Sequence, residues 1–505
     1  MIFPRRWFIS TTLAGVAFIL FTGLLLRNGV DHATEQIQDI SNDIKDTAQD
    51  LKDKILPPPT GPRYKPKKPL KALPIVDNFP LALAAHSASE LPPIPVWSRP
   101  PNPHVAEKTP LFIGFTRNWR LLQQVVVSYI TSGWPPEDIY VVENTGVLDA
   151  NKLGQLSLQN PFFLNHTRLE MLGVNILITP TLFTFAQLQN FYLWTSTVEK
   201  WTYYFWSHMD VVAVPFENNY PKDHPDVDIT SKTLKFDDFK SVYNHCVDAL
   251  REVLATPDLR WAMRFFSYDR LALVNVSSFR EIGGWDTMIP FYMTDCDMHA
   301  RLEMAKFDIQ DRPAGLVYDV ASSLDDLIVL YRKKSGPDGV AIKQASFVDP
   351  NVQEAELAAK AAADSLLEKS GKKKPEEAPK IRKRVDAANS STKAFEEAVK
   401  AGTRPAPASN WEEDTIKSPN FDVLERTLDT MQNSKNSGER NKWQSRQGGG
   451  VGEPFYRDSE GFETAIQMTI AHGRNIFSEK WGHRDCDIVA KGYRPEDAWR
   501  VDHDW

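Results

Sequence analysis

Short apolar runs alternate with longer amphipathic stretches through the middle of the chain. The first run, residues 111–115 (LFIGF), has the length of a buried strand, and Leu121, Val125 and Tyr129 after it recur at helical spacing. The further predicted elements are strands at 138–146, 174–178 and 201–206 and a helix at 184–199. Strands that alternate with helices pack as a mostly parallel sheet with helices on both faces. The pattern therefore predicts an α/β domain with a Rossmann-like architecture over residues 109–332.

The N-terminus carries an apolar run over residues 7–26 that contains no ionisable side chain. Its length matches the ~20 residues with which a helix spans a bilayer. Arg5 and Arg6 precede it, which predicts that residues 1–6 are cytoplasmic and that the rest of the chain crosses the membrane, a type II topology. A cleaved signal peptide is the alternative, but the run exceeds the usual ~7–15-residue apolar region and no small-x-small site follows it. We therefore expect a transmembrane helix here.

Residues 27–108 are predicted to form a stem and a proline-rich linker. Apolar residues recur at roughly heptad spacing in the first half, at Ile37, Ile40, Ile44, Leu51 and Ile55. This spacing is typical of a self-associating stem helix, which would make the protein a homo-oligomer, and equally of a solvated linker helix. Prolines dominate from 57 to 110, which favours an extended spacer that holds the next domain away from the bilayer.

The composition changes after the predicted α/β domain. Residues 333–450 are rich in Lys, Glu, Ala, Ser and Gly and have few large apolar residues, which predicts a largely disordered insertion with one helix near 352–368. The basic run at 372–384 is expected to be a solvated face. Residues 451–505 regain aromatic and apolar content, so we expect this segment to pack back onto the domain.

Composition excludes several classes of protein. The 505 residues carry a formal net charge of -7, which argues against nucleic acid as the main partner. Three cysteines are too few for a disulfide framework, and their spacing indicates no structural zinc. A bridge between Cys246 and Cys486 and buried free thiols both remain open.

Polar side chains follow three of the predicted strands, at the edge of a parallel sheet where ligands bind. These residues are Thr116 and Arg117, Glu143 and Asn144, and His208 and Asp210. A second group lies further along the chain. Trp285 and Asp286 follow two glycines, and Asp295 and Asp297 fall near the start of a predicted helix, where the helix dipole favours negative charge.

Together these segments resemble family-2-type glycosyltransferases of the GT-A fold. The resemblance rests on the strand before Thr116-Arg117, the VVENTG turn, the strand that runs into His208-Met209-Asp210, and the later stretch GGWDTMIPFYMTDCDMHARL. More narrowly, the chain is similar to uncharacterised fungal type II membrane glycosyltransferases. The resemblance covers residues 109–330 and the last fifty residues.

The resemblance implies a donor site and a metal site. Thr116, Arg117 and Asn144 would bind a UDP- or GDP-sugar, with Glu143 on the nucleobase. The family's Asp-x-Asp motif appears here as His208-x-Asp210, which departs from the pattern at its first position. Because imidazole suits Mn²⁺ better than Mg²⁺, this departure favours manganese or a weakened site. His483, in a segment that resembles the family's Lys-Trp-Gly-Gly, and His503 are candidates for a further metal ligand.

The resemblance also implies an acceptor site and a general base. Counting back from Arg301, Asp295 takes the place of the catalytic base, which removes the proton of the acceptor hydroxyl in an inverting displacement. Asp297 would assist in acceptor or metal binding. Trp285 would stack on a sugar of a glycan or glycoconjugate acceptor, with Asp286 beside it. No Gln-x-x-Arg-Trp sequence follows, so a processive synthase is not indicated.

The expected location is the Golgi or ER membrane, with the catalytic domain in the lumen. Sequons at Asn165, Asn275 and Asn389 agree with a glycoprotein, although Asn275 lies in an apolar run and is expected to stay unmodified. Two alternatives remain open. One is a catalytically silent protein that binds nucleotide-sugar or glycan, and the other is a structural membrane protein that self-associates through its stem.

Overall fold

The computed structural model describes residues 75–218, 239–348, 410–437, 452–454 and 457–505, together with Lys45, Gly61 and Gly450. The elements given below all fall within one unit, Leu70–Trp505. Several predictions fall outside the described residues. They are the cytoplasmic tail, the transmembrane helix at 7–26, nearly all of the stem up to residue 74, the predicted helix near 352–368 and the basic run at 372–384. Within the described part, no helix has both the length and the apolar character needed to cross a bilayer.

The strands are β1 (Leu111–Phe115), β2 (Ile139–Glu143), β3 (Asn175–Ile178), β4 (Tyr203–Ser207), β5 (Val211–Val214), β6 (Trp261–Phe265), β7 (Leu271–Asn275), β8 (Asp308–Asp311), β9 (Leu316–Asp319), β10 (Lys333–Ser335) and β11 (Glu412–Glu413). The α-helices are α1 (Pro80–Ala84), α2 (Trp119–Thr131), α3 (His166–Met171), α4 (Phe185–Val198), α5 (Val242–Leu254), α6 (Val276–Glu281), α7 (Thr294–Met304), α8 (Pro419–Ser437) and α9 (Ser459–Trp481).

A seven-stranded sheet has the order β3-β2-β1-β4-β7-β6-β8. β1 pairs in parallel with both β2 and β4, and only β7 runs antiparallel to its two neighbours. β5 and β9 form a separate antiparallel pair, as do β10 and β11. The prediction of an α/β fold with a mostly parallel sheet is confirmed.

The strands are apolar on both faces because helices cover both. In β1, Leu111 and Ile113 point into a core shared with α2 and α5, whereas Phe112 points into the core formed with α4, α6 and α7. The two-residue period of a strand separates these sets. It also explains why β1 was recognisable as a short continuous apolar run.

The turns after β1 and β3 are fixed by helix caps. The Asn118 side chain accepts a hydrogen bond from the Leu121 N–H at the start of α2. Thr184 and Gln187 form a reciprocal capping box at the start of α4. These caps hold the short turns that follow the carboxyl ends of the strands.

Part of the predicted disordered insertion belongs to the core. In α8, Phe421, Leu424, Leu428 and Met431 are buried in the same cluster as β1 and α2. The prediction that residues 333–450 contribute little to the core is therefore wrong for 410–437. The average composition of the long segment is polar and does not reveal these four apolar residues. Their spacing of three, four and three positions places them on one face of a helix.

The C-terminal segment packs on the domain through α9. Phe462 contacts Phe162 edge to face at 5.1 Å between ring centroids, and Trp481 packs with Ala300 of α7. A disulfide joins Cys296 in α7 to Cys486. The alternative of a bridge from Cys246 is thereby corrected, because Cys246 is a buried free thiol in α5.

Candidate functional site

The order of the strands reverses between β1 and β4. β2 and β3 extend the sheet to one side of β1, whereas β4 and the strands beyond it extend the other side. Ligands of open α/β sheets bind at such a switch point, beyond the carboxyl ends of the strands. A cavity of about 240 Å³ lies there, between the residues that follow β1 and those that follow β4. Its aromatic wall consists of Phe183, Phe185, Tyr192, Trp206, Phe291 and Phe462.

Thr116 and Arg117, which directly follow β1, line the cavity. Arg117 Nη2 donates to Glu463 Oε2 of α9 at 2.6 Å, and its guanidinium lies 4.8 Å from the centroid of the Phe462 ring. Burial lowers the pKa of Arg117 to about 10, and the Glu463 carboxylate opposes this shift. The side chain therefore carries its charge at neutral pH, and it ties the C-terminal helix to the cavity.

Asn144 also lines the cavity, and it fixes the loop that leads into α4. Its Nδ2 donates to the Phe183 carbonyl at 2.9 Å, and its Oδ1 accepts from the Phe183 N–H at 2.7 Å. Both the nitrogen and the oxygen of the Asn144 side-chain amide thus bind the backbone of Phe183. Asn144 shapes one wall of the cavity.

The structure does not bring Glu143 into the cavity. Its side chain is fully buried, and His166 Nε2 lies 2.7 Å from its Oε2. Its Oε1 accepts from Asn151 Nδ2 at 2.7 Å and from Thr145 Oγ1 at 3.2 Å. The expected nucleobase contact is corrected, because both oxygens are occupied by the protein.

His208 follows β4 and lies between two carboxylates. Its Nε2 is 3.4 Å from Asp269 Oδ2 and its Nδ1 is 3.7 Å from Asp210 Oδ1. Burial lowers the pKa of His208, but the carboxylates of Asp269 and Asp210 raise it by a larger amount. The net effect is a pKa of about 10. The imidazole is therefore protonated at neutral pH, and 32% of the side chain stays exposed towards the cavity that it lines.

Asp210 is paired with a lysine that the sequence reasoning missed. Lys435 Nζ, near the end of α8, lies 2.7 Å from Asp210 Oδ2 and 2.5 Å from Asp319 Oδ1. Burial raises the pKa of Asp210, but Lys435 and then His208 lower it well below its usual range. No local signal could have found this pair, because 225 residues separate its members along the chain.

A divalent cation does not fit the pair as it stands. Both side chains are already engaged, because the imidazole of His208 lies between the carboxylates of Asp210 and Asp269 and the ammonium of Lys435 occupies Asp210 Oδ2. His483 is also not brought to this place. It does not line the cavity, and its two ring nitrogens each lie 2.6 Å from a carboxylate, of Asp487 and Asp504.

The described residues hold one other group that can ligate a metal, formed by His483, Asp485 and Asp487, whose ligand atoms lie within 4.8 Å of one another. His503 is not part of it. Its Nε2 lies 3.0 Å from Glu479 Oε2 at the surface.

Asp295 does not line the cavity itself. Its Oδ2 accepts from Tyr268 Oη at 3.0 Å. Burial lowers the pKa of His299, while the charges of Asp295 and Asp269 partly raise it again. Asp269, which also contacts His208, was not predicted. The structure therefore groups Asp295 and the His208–Asp210 pair around Asp269 and His299.

Asp297 and Trp285, which were expected to contact the acceptor, are both buried in the protein. Asp297 accepts from Arg301 Nε at 2.8 Å and Trp481 Nε1 at 3.0 Å, with Lys480 Nζ at 2.7 Å. Its expected role in acceptor or metal binding is corrected, because its oxygens are engaged by Arg301 of the same helix and by Lys480 and Trp481 of α9.

Trp285 is 3% exposed, and its ring lies edge to face against Phe185. It cannot stack on a sugar, because its faces lie in the core. Asp286 beside it is bound to Lys480 Nζ at 2.7 Å. Burial raises the pKa of Asp286, but the Lys480 ammonium holds it below its usual value.

Two neutral, buried polar atoms at the cavity have no hydrogen-bond partner among the described residues. They are Oε1 of Gln189 and Nε1 of Trp206, in side chains that are 1% and 2% exposed and line the cavity. An unpaired buried polar group costs free energy, so such atoms mark places where a ligand or an ordered water binds.

No known family profile and no curated protein match the chain. Among the solved structures that are similar to part of it, two have 10% identity each. One is a cytidylyltransferase from Leptospira borgpetersenii, with a TM-score of 0.24 over 41% of this chain and 76% of that one. The other is the mannosyltransferase PcManGT from Pyrobaculum calidifontis in complex with GDP-Man and Mn²⁺, with a TM-score of 0.27 over 43% and 58%. Similarity at this level gives no information about function.

Proposed function

We propose that this chain is a GT-A-type glycosyltransferase that moves a sugar from a UDP- or GDP-sugar to a glycan or glycoconjugate acceptor. The observation that carries the proposal is the cavity at the switch point between β1 and β4. It places two cationic side chains, Arg117 and His208, at the ends of neighbouring parallel strands. Cationic side chains at such a site can stabilise the negative charge of a diphosphate, and the aromatic wall can receive a ring.

In the proposed donor pose, the diphosphate lies between Arg117 and His208, and the aromatic wall receives the nucleobase. The unpaired atoms of Gln189 and Trp206 offer one acceptor and one donor to the polar edge of the ligand. Glu143 has no part in this pose, because its oxygens are satisfied by the protein.

The proposed reaction is a direct displacement with inversion. The acceptor oxygen forms a bond to the anomeric carbon while the bond from that carbon to the diphosphate oxygen breaks. The acceptor proton passes to the Asp295 carboxylate, which Tyr268 orients through its hydroxyl. The leaving diphosphate gains negative charge, which the imidazolium of His208 and the guanidinium of Arg117 stabilise.

We further propose that the domain works in the lumen of the secretory pathway, held in the Golgi or ER membrane by residues 7–26. The disulfide between Cys296 and Cys486 supports this location, because such bonds persist in oxidising compartments. The anchor itself rests on the sequence.

A second candidate is a silent relative that binds nucleotide-sugar without transferring it. Two observations favour it: the side chain of Glu143 is turned into the protein, and Asp210 is paired with Lys435. The two candidates predict the same ligand and differ only in turnover.

The test is a screen of donor binding and donor hydrolysis across common UDP- and GDP-sugars with the full-length protein in detergent. We expect binding of at least one donor. Asp295→Asn should leave its affinity unchanged and lower turnover by about 10²–10⁴-fold. The matched control is Asp258→Asn, an exposed aspartate in the turn after α5. Binding without any turnover in the wild type would favour the silent relative, and full turnover in Asp295→Asn would remove the proposed base.

A further inference from the structure

Lys435 is a fully engaged, buried ammonium. Its side chain is 3% exposed, and its three N–H groups meet Asp210 Oδ2 at 2.7 Å, Asp319 Oδ1 at 2.5 Å and the Val320 carbonyl at 3.4 Å. An ammonium has three donors, so no further acceptor is needed. Removing a charge from water is costly unless it is paired and hydrogen-bonded, and here it is both.

The position of Lys435 is built into the fold. α8 is fixed to the core by its apolar stripe, and Gln432, one turn before Lys435, accepts a hydrogen bond from the Asp319 N–H at 2.9 Å. Asp210 is held from the other side, because its carbonyl accepts from the Val320 N–H at 2.8 Å. These contacts hold the backbone at Lys435 and at Asp210 in place beside each other.

Both oxygens of Asp210 already have a side-chain neighbour. Oδ2 contacts the Lys435 ammonium at 2.7 Å, and Oδ1 lies 3.7 Å from Nδ1 of His208. A metal ion at a bonding distance of roughly 2.0–2.2 Å from Oδ2 would lie against the positive charge of Lys435. The same ammonium also contacts Asp319 Oδ1, so one cation of the chain already lies between these two carboxylates.

We propose that Lys435 supplies, from within the chain, the positive charge that a divalent cation would otherwise place beside Asp210, so that the nucleoside diphosphate binds in the cavity without metal. Because Lys435 offsets the charge of Asp210, that carboxylate repels the diphosphate less, and Arg117 and His208 flank the place where the diphosphate binds. The inference rests on the proposed function, and it replaces the expectation of Mn²⁺ at the His208–Asp210 pair.

The first test uses the wild-type full-length protein with UDP, GDP and the corresponding sugars as probes. Affinity is measured by titration in EDTA and again with Mn²⁺. We expect the two dissociation constants to agree within about twofold. Binding that weakens about tenfold or more in EDTA and returns with Mn²⁺ would overturn the inference while leaving the proposed function intact. Absence of binding under both conditions would overturn the proposed function, and the inference with it.

The second test is Lys435→Met, which keeps an unbranched side chain one atom shorter and removes the charge. We expect nucleoside diphosphate to bind about tenfold more weakly in EDTA, and Mn²⁺ to restore part of the loss. Mn²⁺ titration followed by electron paramagnetic resonance should detect one more bound ion than in the wild type, which also allows for binding at His483. The control is Lys333→Met, since Lys333 is also buried but pairs with Glu413. An unchanged ion count and unchanged affinity in Lys435→Met would contradict the inference, and thermal melting checks that both variants fold.

Discussion

Gly114 lies in β1 directly beneath α4, at the edge of the cavity. A Cβ at this position would lie 2.5 Å from Tyr192 Oη and 2.6 Å from Leu188 Cδ2. Gly114→Ala should therefore destabilise the protein by about 1–3 kcal/mol through overpacking. Chemical denaturation measures the free energy of unfolding. The control is Gly461→Ala in α9, where the nearest atom is 3.6 Å away and alanine should be neutral or stabilise by up to about 1 kcal/mol. Equal effects of the two substitutions would contradict the tight packing of α4 against Gly114.

His208 gives the protein a pH dependence of defined sign. Its pKa rises on folding from 6.5 to about 10, so its contribution to stability is full below about pH 6.5 and is lost as the pH rises through 10. His208→Gln should lower the melting temperature most at pH 6, and the difference from wild type should narrow by pH 10. Calorimetry of the two proteins across this range checks the trend. A gap of constant size would mean that His208 is neutral in the folded protein.

At the residue scale, the sequence identified residue types but not their partners. Thr116, Arg117, Asn144, His208 and Asp210 do line the cavity, because strand ends in a parallel sheet converge. Glu143 follows the same rule along the chain, yet its side chain turns inward to His166. Residues 23 positions apart in sequence have no local pattern that would have indicated this contact.

At the scale of elements, α8 is the clearest departure from expectation and yields a direct test. Leu428 is fully buried on its apolar stripe. Leu428→Ala should lower the free energy of unfolding by about 2–5 kcal/mol. Arg426→Ala on the exposed side of the same helix should leave it within about 0.5 kcal/mol of wild type. A similarly small effect at both positions would show that α8 contributes little to the stability of the core.

Elements were predictable where their pattern was local. β1, β2 and β3 are short apolar runs bounded by turns, and α4 has its capping box within four residues. By contrast, α8 carries its apolar residues among many polar ones, and it packs on β9, which lies far from it along the chain. Average composition over a long segment cannot detect a single amphipathic helix.

At the scale of the whole molecule, the disulfide joins residues 190 positions apart and ties the C-terminal segment to α7. Replacing both Cys296 and Cys486 by alanine, or reducing the wild type, should cost about 2–5 kcal/mol. Melting temperatures with and without reductant provide the measurement. Cys246→Ala should keep the response to reductant, whereas the double variant should lose it. A wild type that melts at the same temperature in reductant would show that the bond contributes nothing.

The central claim is that a nucleotide-sugar donor binds at the switch point between β1 and β4. The most direct measurement is a structure of the protein with a bound nucleoside diphosphate. We predict the diphosphate between Arg117 and His208 and the base against the aromatic wall, within reach of Gln189 and Trp206. A larger groove of about 860 Å³, lined by Asp325, Lys343 and Trp411 among others, is the natural competitor. A nucleotide found in that groove, or none bound at saturating concentration, would contradict the account.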